Sequence, residues 1–460
     1  MCKKKQERMS LWTRISYGMG NFGGNTGMML ITSYFMYFCT DSLKLSAGII
    51  GVLLMISKVL DGISDIVVGY IVNNTKTRYG KARFWLIVSA LPHGITVALL
   101  FYVPAIIPGD LTYAYLFVIY LLYSAVFYTM FSISSNSLNA LATRNEEDRY
   151  SMAMFFQALG GIPVLIIGFA AIPLVELLGG GRQGWALAAL LCGIISAATI
   201  LWAGLAVKEL PERPEDAKNN TERTSLLAAS KHLGKNKYFW FLLIINLAIY
   251  IYYGMQGTAT VYFCSHVLGD EAAFGWINMA IYGPLVFLIY FAPPVVKKLG
   301  ARRANVAGAA VAVIGGLLAF VNPRSLGWVL ASCLLGNIGL LPQYVTMNPL
   351  VAEAAEYTKR RHGKDLTAIF YSCVSVGSKV GHGVGTALTG LILDRAGYDG
   401  ALAVQPRAAV NAIMLVFLAA PVVGYAVQGF FFSKLDVDEV NRRVIGKQFR
   451  RPRLRPAPRR

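Results

Sequence analysis

Charge is what this chain of 460 residues lacks most: Asp, Glu, Lys and Arg together make up 15% of it, against about 25% in an average soluble domain. So little charge cannot cover a soluble protein of this length without large exposed apolar patches, which excludes an ordinary cytosolic enzyme and leaves a membrane as the solvent. Cysteine is sparse and scattered. Cys2, Cys39, Cys192, Cys264, Cys333 and Cys373 show no CxxC spacing, and five of them lie inside apolar runs. They imply no zinc motif, disulfide framework or redox pair. No Walker loop, nucleophile elbow or acid and base paired in an aqueous cleft is present. Neither enzyme chemistry nor a cofactor is expected.

What the chain does have is apolar length. Hydrophobic residues make up 55% of it and the mean hydropathy is +0.52. Twelve stretches reach the roughly 20 residues needed to cross a bilayer: 12–40, 46–73, 83–107, 111–140, 151–176, 185–207, 238–266, 273–296, 303–322, 327–355, 366–394 and 407–433. The expected fold class is therefore an all-α membrane protein of twelve transmembrane helices. The net charge of +19 would suggest nucleic acid on a soluble surface, but 36 of the 43 Lys and Arg fall in alternate segments that include both termini. By the positive-inside rule both termini are cytoplasmic, in a multi-pass protein of a bacterial inner membrane, and no nucleic acid is expected. The partners are the lipid bilayer and a small molecule, and a monomer suffices.

The polar stretch 208–237 divides the chain into 1–207 and 238–434, each with six spans, and residues 435–460 form a basic tail suited to anionic headgroups. Gly80-Lys81-Ala82-Arg83 after the second span is echoed by Gly300-Ala301-Arg302-Arg303 after the eighth. Two six-helix bundles related by an axis along the membrane normal, with a site between them near the midplane, describe the major facilitator architecture.

An ionised side chain at the bilayer centre costs about 2.5 to 3.5 kcal/mol, so each one found there needs a reason. The second span holds Lys58, Asp61 and Asp65 at intervals of three and four, on one helical face, and the eleventh holds Lys379 among small residues. Two carboxylates one turn apart repel, and a proton or a hard cation relieves them. The plainer alternative is an ion-pair network in which Lys58 neutralises Asp61 and Lys379 neutralises Asp65, although apolar packing would do that structural work more cheaply.

Asp61-x3-Asp65-x3-Gly69, followed by Asn73, Arg78-Tyr79-Gly80-Lys81 and Arg83-Phe84-Trp85, resembles the signature of the glycoside-pentoside-hexuronide:cation symporters. Tyr17-Gly18-x-Gly20, Tyr37-x2-Thr40-Asp41, Tyr128-Thr129, Glu353-x2-Glu356-Tyr357 with Gly363-Lys364, and the spacing from Tyr371 to Lys379 agree, so the resemblance spans nearly the whole chain. It implies that Asp61 and Asp65 bind the cation, that Thr129 adds an oxygen, and that Lys58 and Lys379 link cation and sugar sites. Departures matter as well. Where melibiose permeases of this family hold galactoside hydroxyls with aspartates, this chain has Asn25 and Ser132; their helix 4 tryptophan is Asn136 and their helix 5 arginine is Met154. Amides and hydroxyls still bond sugar hydroxyls, but the galactoside pattern is gone, and fewer carboxylates favour H+ over Na+.

Tyr344 stands where the family places an aromatic that stacks on the sugar, and Asn348, Tyr34 and Gln256 are further cavity candidates. His382 shares a face with Lys379, whereas His93 and His266, near helix ends, carry no reading. Arg78, Lys81 and Arg83 are expected to meet Glu353 and Glu356 in a gate of breakable ion pairs. The reading is a symporter that imports a glycoside, pentoside or hexuronide by alternating access, with a non-galactoside such as a β-glucuronide preferred. The rivals are an organic-anion or lipid carrier of the same fold, and a membrane sensor that binds without transporting.

Overall fold

The computed structural model describes residues 9–104, 107–210, 236–362, 367–402 and 404–437. Among these residues the protein is all helical, with no strand. Twelve rods follow one another. They are α1 (Leu11–Tyr37), α2 (Ala47–Asn74), α3 (Ala82–Phe101), α4 (Gly109–Leu121, Leu122–Tyr128 and Thr129–Ala142), α5 (Glu146–Leu177) and α6 (Gly181–Ala206). After residues 211–235 come α7 (Lys237–Leu268), α8 (Ala273–Leu299), α9 (Ala301–Leu318), α10 (Leu326–His362), α11 (Thr367–Arg395) and α12 (Arg407–Lys434).

Ten of these are long and apolar enough to cross a membrane. The other two, α1 and α11, have 27 and 29 residues but are diluted by glycine, serine and threonine, and α1 by asparagine as well, because both face other protein rather than lipid. Capping sets several starts: Ser10, Ser46, Asn145 and Asn236 each accept a backbone N–H with the side chain. Asn145 explains why α5 begins five residues before the apolar run does. The third helix stops at Phe101 rather than near residue 107, where Tyr102 leaves helical geometry just before Pro104. At α10 the helix continues to His362, past the apolar stretch that ended at 355, so Glu356 lies on the same helix as Glu353.

Packing sorts the rods into two groups. In the first, α1 lies on α5 and α6, and α3 on α4 and α6; in the second, α7 lies on α11 and α12, and α9 on α10 and α12. The groups meet along α2 and α11, α5 and α8, and α1 and α7. Glycines make the first seam possible. A Cβ on Gly390 would stand 2.3 Å from the Ala47 carbonyl oxygen and one on Gly51 3.1 Å from Ala387 Cα.

The seams are not parallel. Along α2 the nearest atom to such a Cβ recedes to 3.7 Å at Gly62, and at Gly69 nothing lies within 4 Å. Between α5 and α8 the same probe gives 2.2 Å at Gly275, 3.4 Å at Gly168 and 3.7 Å at Gly161. The groups are therefore shut at the face opposite the chain ends (the far face) and diverge toward the face where residues 9 and 437 lie (the terminal face). Gly390→Leu is expected to push the far-face seam apart, since overpacking costs about 1 to 3 kcal/mol. Maleimide labelling of Cys39, fully buried beneath that seam, should then accelerate by about tenfold, and an unchanged rate would show that the seam absorbs the extra side chain.

Candidate functional site

The central charges converge from both helix groups. Lys379 of α11 donates to Asp61 Oδ1 at 3.0 Å and pairs with Asp65 Oδ2 at 2.7 Å, while Lys58 Nζ stands 3.9 Å from Asp61 Oδ2. Thr129 of α4 reaches Asp61 Oδ1 at 2.8 Å and Asp65 Oδ1 at 3.4 Å. Asp61 is the deepest, with 3% of its side chain exposed against 30% for Asp65. Two carboxylates and two ammoniums sum to zero, which is what a low-dielectric interior demands. The pairing differs from the simplest network expected from sequence: one lysine, from the opposite helix group, holds both carboxylates.

Local structure builds this bay. Gly383 brings α11 against α2, since a Cβ there would lie 2.8 Å from Lys58 Cβ. In α4 the turn from Leu122 to Tyr128 is a π turn, a wide form often found at functional positions, and it delivers Thr129 to the carboxylates with its hydroxyl also 3.0 Å from the Ser124 carbonyl oxygen. Lys58 lies over the Tyr120 ring at 5.9 Å. Nearby, His93 sits buried in the middle of α3, not at a helix end, with its ring 5.2 Å from that of Tyr123.

The expected substrate residues distribute unevenly. Asn25 donates to the Gly160 carbonyl at 2.8 Å and so ties α1 to α5. Ser132 is half-buried and Asn136 exposed, one turn apart on α4. Tyr344 is 38% exposed on α10, with its hydroxyl against that of Tyr253. Asn348, one turn on, is exposed and accepts the Tyr371 hydroxyl at its carbonyl. Tyr34 is fully buried where the groups meet, packed on Trp185 of α6 and Phe274 of α8, while Gln256 lines a small internal pocket of the second group with Ser332 and Tyr425.

At the terminal face the basic run has a partner that sequence reasoning missed. The backbone N–H groups of Lys81 and Arg83 donate to the Glu209 carboxylate, which lies against Gly80 in its left-handed conformation (φ 101°). The Arg83 guanidinium donates to the carbonyls of Gly204 and Leu205 at 2.7 and 2.8 Å, satisfying the open end of α6. Arg78 donates to Tyr79 Oη. Glu356 pairs with Arg360 on its own helix at 2.8 Å, one turn after Glu353. Only position marks Glu209 in the sequence, as the acid immediately after the sixth span.

A family model described as MFS/sugar transport protein matches residues 16–439. An isoprimeverose transporter of Lactiplantibacillus pentosus is 27% identical over 95% of this chain and 91% of its own length. A putative glycoside/cation symporter of Escherichia coli, YagG, is 26% identical over 96% and 95%, and a putative sulfoquinovose importer of the same organism 24% over 95% and 95%. Among solved structures, a bacterial homolog of the human lysosomal transporter Spinster superposes with a TM-score of 0.69 at 13% identity, covering 92% of this chain and 95% of that one. The nucleoside transporter NupG gives 0.65 at 13%, covering 91% and 99%. These last two likenesses concern the fold.

Removing Lys379 alone should be worse than removing it with a carboxylate. Lys379→Met leaves two facing carboxylates and should lower stability by about 2 to 4 kcal/mol, whereas the Asp61→Asn, Lys379→Met double variant should recover much of that. Thermal unfolding of the purified single and double variants measures the coupling, and simple additivity would mean that the ammonium is not what holds the pair.

Proposed function

The chain belongs to the MFS/sugar transport protein family, and from that premise we propose that it is a symporter in which a cation and the Lys379 ammonium compete for the same carboxylates. It is a sugar transporter and a multi-pass membrane protein, not an enzyme. The observation that carries the coupling is the position of Lys379, whose ammonium pairs with both Asp61 and Asp65, the carboxylates that Thr129 also reaches. Those residues, with the Ser124 carbonyl, are a set of hard oxygen donors within a few ångströms, suited to Na+ or, through a carboxylate, to H+. Either ion at the carboxylates releases Lys379.

Once released, the ammonium is a half-buried positive charge on α11, which packs beside α10. Its cheapest neutralisation is a ligand that brings a negative charge. Ser132 and Asn136 on α4 supply hydrogen-bonding groups in the first helix group, and Tyr344 and Asn348 on α10 supply an aromatic ring and an amide in the second. A glycoside with an acid group, a hexuronide or its like, fits this balance better than a neutral galactoside. The names of the relatives, an isoprimeverose transporter and a putative sulfoquinovose importer, support sugar cargo. The absence of a carboxylate at Ser132 favours the proton over sodium.

Direction follows from charge. The terminal face carries the Lys and Arg excess, so it is cytoplasmic, the membrane is the bacterial inner membrane, and the conformation described is open inward. Cargo and cation would enter when the far face parts and leave when the terminal face does, by rocking of the two helix groups.

Asp61→Asn or Asp65→Asn should abolish uphill accumulation in membrane vesicles under either a pH or a sodium gradient while downhill exchange persists. Full accumulation by either variant removes that residue from coupling, and stimulation of the wild type by sodium alone would reverse the proton assignment. For cargo, uptake of labelled methyl glucuronide should be inhibited by acidic glycosides and little by α-galactosides. Tight competition by α-galactosides would remove the charge argument.

A further inference from the structure

The far face is shut by a seam that sequence reasoning singled out as a motif, Tyr37-x2-Thr40-Asp41, but gave no role. Each polar residue of that motif crosses to the other helix group. Tyr37 donates to Glu271 Oε1 at 3.0 Å, Thr40 Oγ1 lies 2.8 Å from Tyr262 Oη, and Tyr398 Oη contacts both Asp41 oxygens at 2.8 and 2.9 Å. Lys44 reaches the Gly400 carbonyl, and Ser46 donates to Asp394 Oδ1 at 2.7 Å.

Asp41 lies just beyond the membrane-spanning part of α1 with 16% of its side chain exposed. The groups that face it are Thr40 on its own turn, which donates at 2.6 Å; Lys44 on its own loop; Tyr37 at the end of α1; Tyr398 from the segment after α11; and, on α7, Tyr262 and His266, the latter 4.0 Å away. Glu271, bonded by Tyr37 and Ser265, adds a second negative charge.

Tyr398 has a single hydroxyl proton and two acceptors, since His266 Nε2 is 2.9 Å from its oxygen. With Asp41 ionised, the hydroxyl donates to the carboxylate and His266 must donate to Tyr398. With Asp41 protonated, the carboxyl donates to Tyr398, which then donates to neutral His266. Both arrangements close the chain of hydrogen bonds, but only the second leaves Glu271 as the single negative charge of the Asp41–Glu271 pair.

We propose that Asp41 is a proton-binding site of the far-face gate, separate from the central cluster, whose protonation holds the gate shut and whose ionisation loosens it. Burial within the closed seam pushes the Asp41 carboxyl up from 3.8 to about 6, against the help of Thr40, Tyr398 and Lys44. Parting the seam returns it to water and to its ordinary range. A group that binds its proton more tightly in the closed state favours closure most below about pH 4, and loses that preference as pH rises to about 6. The closing equilibrium should weaken by about a hundredfold across that window and level off above it.

The test reads conformation rather than transport, so it stands or falls independently of cargo and coupling ion. Spin labels at Leu177→Cys and Val404→Cys, both highly exposed and in different helix groups, report the far-face separation in nanodiscs from pH 4 to 8, with Cys2 and Cys373 replaced by serine. The short-distance population should fall as pH rises, with its change complete just above pH 6. D41N should keep the closed distance at every pH, and Glu271→Gln and His266→Gln should still show a pH transition. Tyr398→Phe, which removes a donor to the carboxylate, should move the transition to higher pH. A flat wild-type profile, or a transition that survives D41N, would overturn the proposal.

Discussion

Everything at the centre of this molecule follows from the need to neutralise Asp61 in a medium where a lone charge is expensive. With 3% of its side chain exposed, Asp61 cannot rely on water, and the nearer-in-sequence Lys58 stays 3.9 Å away. Lys379 does most of the neutralising, and it comes from the other helix group. A charge pair made across a seam does two things at once: it lowers the energy of the interior, and it makes that energy depend on how the groups sit. Whatever replaces the ammonium changes both.

That dependence accounts for the glycines. A lysine on α11 reaches two carboxylates on α2 only if the backbones approach closely, and Gly383, Gly390 and Gly51 provide the approach. The same lack of side chains removes the interlocking that would fix the two helices in one arrangement. Close contact at the far face and divergence past Gly62 are thus compatible with one smooth pair of helices rocking about the level of the charges. The polar composition that keeps α1 and α11 out of the ten plainly apolar spans has the same origin, since helices packed closely on other helices need small and polar surfaces more than greasy ones.

How much of this was legible in the sequence depends on distance along the chain. The run Lys58, Asp61, Asp65 could be read as one face because three residues on one helix have fixed geometry. Lys379 could be read as its counterpart because intramembrane lysines are rare enough to attract attention. Glu209 could not be read, since a carboxylate at the edge of a polar loop looks like any other until the fold sets it on the amides of Lys81 and Arg83. Asn25 shows the converse. Its place where the resembled permeases hold galactoside hydroxyls suggested a ligand, but a resemblance does not reveal which polar group is already bonded, here to Gly160. The end of α10 was misplaced because hydropathy reports where lipid stops, not where a helix does; the rod runs on to His362.

The two clusters divide the work by what surrounds them. At the centre, four charges cancel and any ligand must displace one of them, so selectivity is a matter of competition. At the far face, one carboxylate is held mainly by hydroxyls, which are neutral and can reverse their donor roles, so its protonation changes little in geometry and much in energy. The ion pairs thus lie in the middle of the helices, and the tyrosines and the threonine at the far rim.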